Sequence, residues 1–281
     1  MKECLHRKFI LDGEIVDCER FNPSLINKGT SIYEVVRTIN GKVLFARDHL
    51  LRLEQSARLA GQDIWHTLDS LQVMISHLPA LNGIMDGNIK LVYNYNPDRH
   101  NTFLAYFVTH HYPDNEQYKK GVSLHTYCFT RTDPHKKVWR PEHRALVRKY
   151  ITEHNLYEVL LTDELNRVTE ASKANIFFIS GDEVLTPPLE LVLPGITRKY
   201  ILEICNNLGI PLKEEVIYLD QLTSFDAAFI TGTSPKVLPV ARLNDCSFNV
   251  NQRILRRLMN EYDMLIERAL KSHGGSVRTG S

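Results

Sequence analysis

Residues 160–198 limit the possible folds of this chain more than any other stretch, reading LLTDELNRVTEASKANIFFISGDEVLTPPLELVLPGITR. Short apolar runs separated by turn residues read as strands rather than helices. Two such runs carry Glu170 and Asn175, a Pro-rich turn follows, and Gly195-Ile196-Thr197-Arg198 opens an amphipathic helix. An acidic residue set between apolar strands, upstream of a helix N-terminus that carries a hydroxyl, points to a bound anionic cofactor. Backbone N–H groups and the positive end of the helix dipole together favour an anion there.

The flanking segments fit the same α+β class. Residues 9–16 read as a hairpin around Asp12-Gly13, and residues 31–46 as a second around Asn40-Gly41, pairs that tolerate positive φ. Asp48 is placed to cap a helix with Leu50, Leu53, Ala57 and Ala60 on one stripe and Gly61 at its end. A weaker helix covers 67–77, and strands are expected at 88–94, 102–112 and 122–130. The polar segment 131–143, with two prolines, breaks the rhythm and marks a domain boundary. The expected layout is a smaller N-terminal domain (1–130), a larger cofactor-binding C-terminal domain (131–272) and a disordered tail (273–281). In the second domain Pro141 suits the first turn of a helix over 141–155. Strands then fall at 157–162, 167–170, 175–180 and 183–186, followed by a helix over 196–208 closed by Gly209. Further strands lie near 215–219, 227–231 and 237–242, and an amphipathic helix runs over 252–272.

Composition excludes several classes. Of 281 residues, 43% are hydrophobic and 24% charged, enough for a substantial core. A net charge of +1 gives no footprint for nucleic acid. No apolar run is long enough to span a bilayer and the N-terminus has no signal-peptide h-region, so a cytoplasmic protein is expected. The five cysteines are scattered and form no metal spacing, so free thiols in a reducing compartment are expected. His110-His111 reads as a strand pair whose rings point to opposite faces, against a two-His metal site. No metal is expected. There is no GxGxxG, P-loop, GxSxG or HExxH.

Several residues could carry chemistry. Lys136 and Lys137 lie in the non-periodic junction, where desolvation turns a lysine into a Schiff-base nucleophile. By composition alone they read as a solvated basic loop, since lysines are almost always exposed. Glu170 could hold a protonated ring nitrogen, or be a strand-end carboxylate facing water. Gly195-Ile196-Thr197 and Thr231-Gly232-Thr233-Ser234 supply backbone donors and hydroxyls suited to a phosphate, and equally to capping and turns. Arg52 could turn inward beside Leu53 as a phosphate clamp, or cover the surface with its stem.

Taken in order, these pieces resemble the class IV aminotransferases, the fold-type IV pyridoxal-phosphate enzymes. The resemblance runs from about residue 29 to 240. It rests on GTSIYEVVRTINGKVLFARDHLLRLEQSA, then YEVLLTDELNRVTEASKANIFFI, LTPP, LPGITR and TGTSPKVLPV. It implies a two-domain α+β fold, with a smaller sandwich-like N-terminal domain and a larger C-terminal domain built on a barrel-like sheet. The cofactor, pyridoxal 5'-phosphate, is expected in the interdomain cleft. By motif position, Arg52, Ile196, Thr197 and Thr233 resemble the phosphate ligands, and Glu170 the carboxylate on the pyridine nitrogen. Leu193 resembles the apolar residue on the ring face, and Tyr33 an active-site tyrosine beside the substrate. The PHKKV context is similar to relatives in which the lysine directly before Val forms the Schiff base, which selects Lys137 over Lys136. The implied reaction is ping-pong transamination between an amino acid and a 2-keto acid, in a homodimer. An aminodeoxychorismate lyase-type elimination of pyruvate, or a catalytically silent cofactor-binding scaffold, are the alternatives. Arg140 stands at the Asn position of the family's Lys-x-x-Asn, and on the substrate side two further positions depart from the family pattern. Lys90 stands where branched-chain-type members carry arginine, and Lys236 where many relatives carry an acid.

Overall fold

The computed structural model describes residues 3–130 and 133–272; the expected disordered tail, 273–281, lies outside them. The chain divides into two compact units. The first takes the described residues of Met1–His111, Lys136–Trp139 and Met264–Ser281; the second takes those of Tyr112–His135 and Arg140–Asp263.

The first unit is built on a six-stranded sheet. Its elements in chain order are β1 (Leu5–Leu11), β2 (Glu14–Asp17), a short helix α1 (Ser24–Asn27), β3 (Thr30–Ile39), β4 (Lys42–Val43), α2 (Ala46–Leu59), α3 (Leu68–Asn82), β5 (Gly87–Tyr95) and β6 (Thr102–Val108). The strand order is β2-β1-β6-β5-β3-β4, antiparallel throughout. Both expected hairpins form. Asn40 and Gly41 take φ of 51° and 73°, the positive pair that a two-residue turn needs to follow strand twist. Period-2 alternation sorts β3 between the faces. Ile32 and Val36 join the core under α2 and α3, with Leu50, Leu53, Leu71 and Ile75. Tyr33 joins Phe9, Val92, Leu104 and Tyr106 on the other face.

Asp48 does not cap α2. The helix starts at Ala46 after Phe45 in a left-handed conformation, and Asp48 sits in the first turn, where its charge favours the dipole. The weaker helix is longer than its pattern, because Thr67 caps it through Ser70 N–H and it runs through Pro79 to Asn82. β6 stops at Val108, leaving His110 and His111 beyond the strand. The expectation of five free thiols is also corrected. The β1–β2 hairpin brings Cys4 and Cys18 to a Cα separation of 6.0 Å, where they form a disulfide. Cys128, Cys205 and Cys246 are free.

The second unit contains α4 (Asn115–Lys120), β7 (Val122–Cys128), α5 (Pro141–Glu153), β8 (Glu158–Thr162), β9 (Val168–Ala171), β10 (Asn175–Ser180) and β11 (Glu183–Thr186). It continues through α6 (Ile196–Leu208), β12 (Leu212–Glu214), β13 (Ala227–Gly232), β14 (Lys236–Leu243), β15 (Cys246–Ser247) and α7 (Arg253–Ser272) up to Asp263. Its nine strands run β12-β11-β10-β13-β14-β7-β8-β9, with β15 on β14. β7 and β8 are parallel, which requires the crossover that α5 provides. The strand expected at 122–130 therefore pairs in this sheet. No strand forms at 215–219; β12 lies just before it and a 3-10 turn, Leu219–Ser224, follows. α4, which had no apolar stripe to announce it, is held by a capping box between Asp114 and Gln117. The α+β class is as expected. Among the described residues no helix is long and apolar enough to cross a membrane.

Candidate active site

Two groups of predicted site residues are assembled, one in each unit. In the first, alternation on β3 sends Tyr33 to one face and Glu34 to the other. The segment Lys136–Trp139 lies along the edge of β3 that β5 does not use. Tyr33 N–H donates to the Lys137 carbonyl at 3.0 Å, Trp139 N–H donates to the Ser31 carbonyl at 2.8 Å, and Ile32 bridges Val138. This pairing places Lys137 beside Tyr33-Glu34, with Nζ 5.5 Å from the Tyr33 ring centroid.

Glu34 is fully buried. Arg52, on the inner side of α2, grips it with a fork: Nε donates to Oε2 and Nη2 to Oε1, each at 2.8 Å. Lys137 Nζ donates to Oε1 at 3.0 Å, and so does Val35 N–H at 2.7 Å. His49 Nδ1 stands 3.4 Å from the same oxygen without the alignment of a hydrogen bond. Burial pushes the Glu34 carboxyl up, but Arg52, Lys137 and His49 outweigh it and hold it well below the usual carboxylate range. For Lys137 the balance reverses. Burial, then the Arg52 charge, lowers its pKa against the opposing pull of Glu34 and Tyr33. His49 is lowered by burial despite Glu34.

The second group is organised by the carboxylate of Glu170. Ala171 and Ala174 exchange backbone hydrogen bonds and close the turn between β9 and β10. Glu170 on β9 and Asn175 on β10 thereby face the Pro-rich turn. Leu193 N–H donates to Glu170 Oε2 at 3.1 Å; Asn175 Nδ2 donates to the same oxygen at 3.3 Å and to the Leu193 carbonyl at 3.0 Å. Gly195 packs against Asn175 so closely that a Cβ would overlap Oδ1. Being glycine, it caps α6 with no side chain, and the first turn holds no acidic residue, so the helix's positive end is not answered by the helix itself. Thr197 lies in that turn, its hydroxyl 3.2 Å from Tyr262 Oη. Opposite Asn175 in the β10–β13 register is Thr231, whose buried hydroxyl finds no hydrogen-bond partner among the described residues. Thr233 follows in the turn after β13, partly buried.

This donor set fits an anionic, aromatic, nitrogen-bearing cofactor. It provides a helix N-terminus with no acidic residue in its first turn, a buried hydroxyl with no partner among the described residues nearby in the sheet, and a carboxylate that accepts from the Leu193 and Asn175 N–H donors.

The structure thus brings Arg52, Lys137 and Tyr33 together, and separately Glu170, Leu193, Ile196 and Thr197. Of the two junction lysines, Lys137 is the one whose Nζ reaches Glu34. Glu34 and His49 had no assigned role in the sequence. The available signal was a charge at an inward period-2 position of β3, next to Tyr33. Lys90, the first substrate-side departure, is 3% exposed, with Nζ 3.3 Å from the Trp139 ring centroid and 2.9 Å from Glu3 Oε1. Lys236, the second, pairs with Asp263 at 2.7 Å.

Residues 31–243 match the family model described as amino-transferase class IV. A "Probable branched-chain-amino-acid aminotransferase" of Rickettsia felis is 27% identical over 254 residues, covering 84% of this chain and 86% of its own length. A D-alanine aminotransferase of Staphylococcus aureus is 28% identical over 279 residues, covering 92% and 98%. A crystal structure of the T.th. branched-chain amino acid aminotransferase with pyridoxamine 5'-phosphate superposes with a TM-score of 0.84 at 22% identity, over 94% of this chain and 95% of that one. This last likeness is one of fold.

Proposed function

The chain belongs to the class IV aminotransferases, and from that premise we propose that it moves an amino group from an amino acid to a 2-keto acid, with Lys137 as covalent anchor and proton carrier. The observation that carries the reading is the setting of Lys137 Nζ. It is largely buried, 3.0 Å from Glu34 Oε1, and its pKa is lowered by burial and Arg52. A lysine so placed has more of its neutral, nucleophilic form at neutral pH.

Pyridoxal 5'-phosphate, the cofactor, supplies an aldehyde that condenses with amines and a ring that accepts an electron pair. Glu170, held through Oε2 by Leu193 and Asn175, would accept the ring N–H and keep that proton in place. The first N–H groups of α6 at Ile196 and Thr197, and Thr233, would bind the phosphate; Arg52, in the first unit, carries a phosphate-binding role by motif position. Leu193 would cover the ring face. Lys137 Nζ would take up and give back the proton moved from the α-carbon of the amino acid. Tyr33, beside Lys137, borders the substrate. The same reading carries a homodimer, checked by light scattering.

The names of the relatives point to two donor classes, branched-chain amino acids and D-alanine. The protein mixed with pyridoxal 5'-phosphate, reduced with borohydride and digested, is expected to carry the label on Lys137; a label on Lys136, or none, refutes the assignment. Each donor is then tested with a keto acid. Parallel double-reciprocal lines support transamination, and intersecting lines refute the ping-pong scheme.

A further inference from the structure

We infer that Glu34 is a positioning residue for the reaction: one buried carboxylate holds both the amine of Lys137 and the guanidinium of Arg52, fixing the nucleophile and the phosphate-binding arginine relative to each other. This rests on the reading above, in which Lys137 and Arg52 act on the cofactor.

The geometry separates this role from a merely structural one. The Arg52 fork alone satisfies both oxygens of Glu34 and balances its charge. A structural ion pair needs nothing more. Yet Lys137 brings Nζ to Oε1 as well, at 3.0 Å, with its side chain only 15% exposed. If Lys137 were charged, the cluster would hold two cations and one anion out of water, which burial opposes. If neutral, the amine still donates one hydrogen to Oε1 and keeps its lone pair, and the pair beneath it stays balanced. Glu34 therefore orients the amine without requiring it to be protonated.

The strand places this carboxylate where it can do both. Glu34 projects from β3 toward α2, which carries Arg52. The edge pairing of Lys137–Trp139 with Ser31–Tyr33 sets the lysine backbone alongside. The groups facing Glu34 are Arg52 and His49 from α2 and Lys137 from the edge segment, with Tyr33 near the lysine. His49 stays neutral near pH 7 because burial lowers its pKa below 6.5, so it adds no charge to the cluster of Arg52, Glu34 and Lys137.

The test reads Lys137 directly, in cofactor-free protein. Reductive methylation with formaldehyde and cyanoborohydride across a pH series, followed by peptide mapping, gives the midpoint of the Lys137 amine in wild type, Glu34→Asp and Glu34→Gln. An opposite charge within about 4–6 Å shifts a pKa by roughly 1–3 units. Removing it in Glu34→Gln is therefore expected to raise Lys137 reactivity at a fixed pH below the midpoint by about tenfold or more. Glu34→Asp keeps the charge but withdraws it, and is expected to fall between. The affinity for pyridoxal 5'-phosphate, followed by fluorescence quenching, is expected to weaken about tenfold in Glu34→Gln and less in Glu34→Asp.

An unchanged Lys137 midpoint in both variants overturns the inference. So does a shifted midpoint with unchanged cofactor affinity, since Glu34 would then set charge but not position. If Glu34→Gln does not fold, Glu34→Asp decides alone by the same two readouts. Labelling of Lys136 in the borohydride experiment would instead overturn the assigned function, leaving the coupling of Glu34 and Lys137 measurable.

Discussion

Replacing Gly195 with alanine should expose how tightly the Glu170 group is built. Gly195 has φ −66° and ψ 138°, a conformation open to alanine. Backbone strain is therefore absent, and a smaller unfolded-state entropy would even favour the variant by about 0.4–1 kcal/mol. Space decides otherwise. The new Cβ would overlap Asn175 Oδ1 and lie 3.1 Å from Asn175 Cγ and 3.3 Å from Arg198 Cβ. Asn175 is 5% exposed and cannot swing into water. If it rotates, the amide abandons Glu170 Oε2 and the Leu193 carbonyl, leaving buried polar atoms unpaired at about 1–3 kcal/mol. If instead α6 retreats, overpacking costs about 1–3 kcal/mol. With partial relief by both routes, the net expectation is a loss of about 1–3 kcal/mol, or roughly 0.5–1.5 M in urea midpoint for a slope near 2 kcal/mol/M. Urea unfolding followed by far-UV circular dichroism measures it. The mechanism is isolated by repeating Gly195→Ala on an Asn175→Ala background, where the overlap is gone and the substitution should cost nothing or stabilise slightly. A coupling of about 2 kcal/mol between the two sites is thus expected. Equal effects in both backgrounds would refute the packing argument.

Three other outcomes are expected. His49 has a folded pKa below its ordinary value of 6.5, so the unfolded chain binds more protons there and stability falls as pH drops through about 6.5. The urea midpoint should decrease from pH 7 to pH 5, and less steeply in His49→Gln. Glu34 does not contribute in that window, because its depressed pKa removes stability only as pH falls below the ordinary carboxylate range. Thiol titration of the unfolded, unreduced chain should count three cysteines, and five after reduction. Cys4→Ser is expected to cost about 2–3 kcal/mol for a closed loop of sequence separation 14, read by urea unfolding without reductant. Glu3→Gln removes the carboxylate that answers the buried Lys90 and should cost about 1–3 kcal/mol, whereas Glu3→Gln combined with Lys90→Met should recover most of it, because an apolar replacement avoids stranding a buried charge. A double variant no more stable than Glu3→Gln alone would count against that pairing.

Much of this molecule could be read along the chain, where the relevant physics is local. α6 begins and ends where Gly195, its apolar stripe and Gly209 place it. The Asp12-Gly13 and Asn40-Gly41 hairpins follow from the backbone freedom of those pairs, and the ordered motifs from Tyr33 to Thr233 point to the family that the match over residues 31–243 identifies. Weaker local signals misled. The strand expected at 215–219 does not form; β12 ends at Glu214 and a 3-10 turn begins at Leu219. Asp48, a good capping residue, lost its place when Phe45 took the left-handed position before α2.

What the tertiary structure alone decided are the contacts between residues far apart in sequence. The pairing of Cys4 with Cys18 depends on the β1–β2 hairpin bringing them side by side, and spacing alone did not announce it. β7 belongs to the second sheet because both its parallel partners, β8 and β14, lie further along the chain in that sheet. The choice of Lys137, made by resemblance, has its physical setting only in the fold, where an extended segment from the junction pairs with the outer edge of β3. Its amine reaches Glu34, 103 residues earlier in the chain. No local propensity records such a contact, because the carboxylate is stabilised in the core by cations that reach it only once the sheet and α2 have formed.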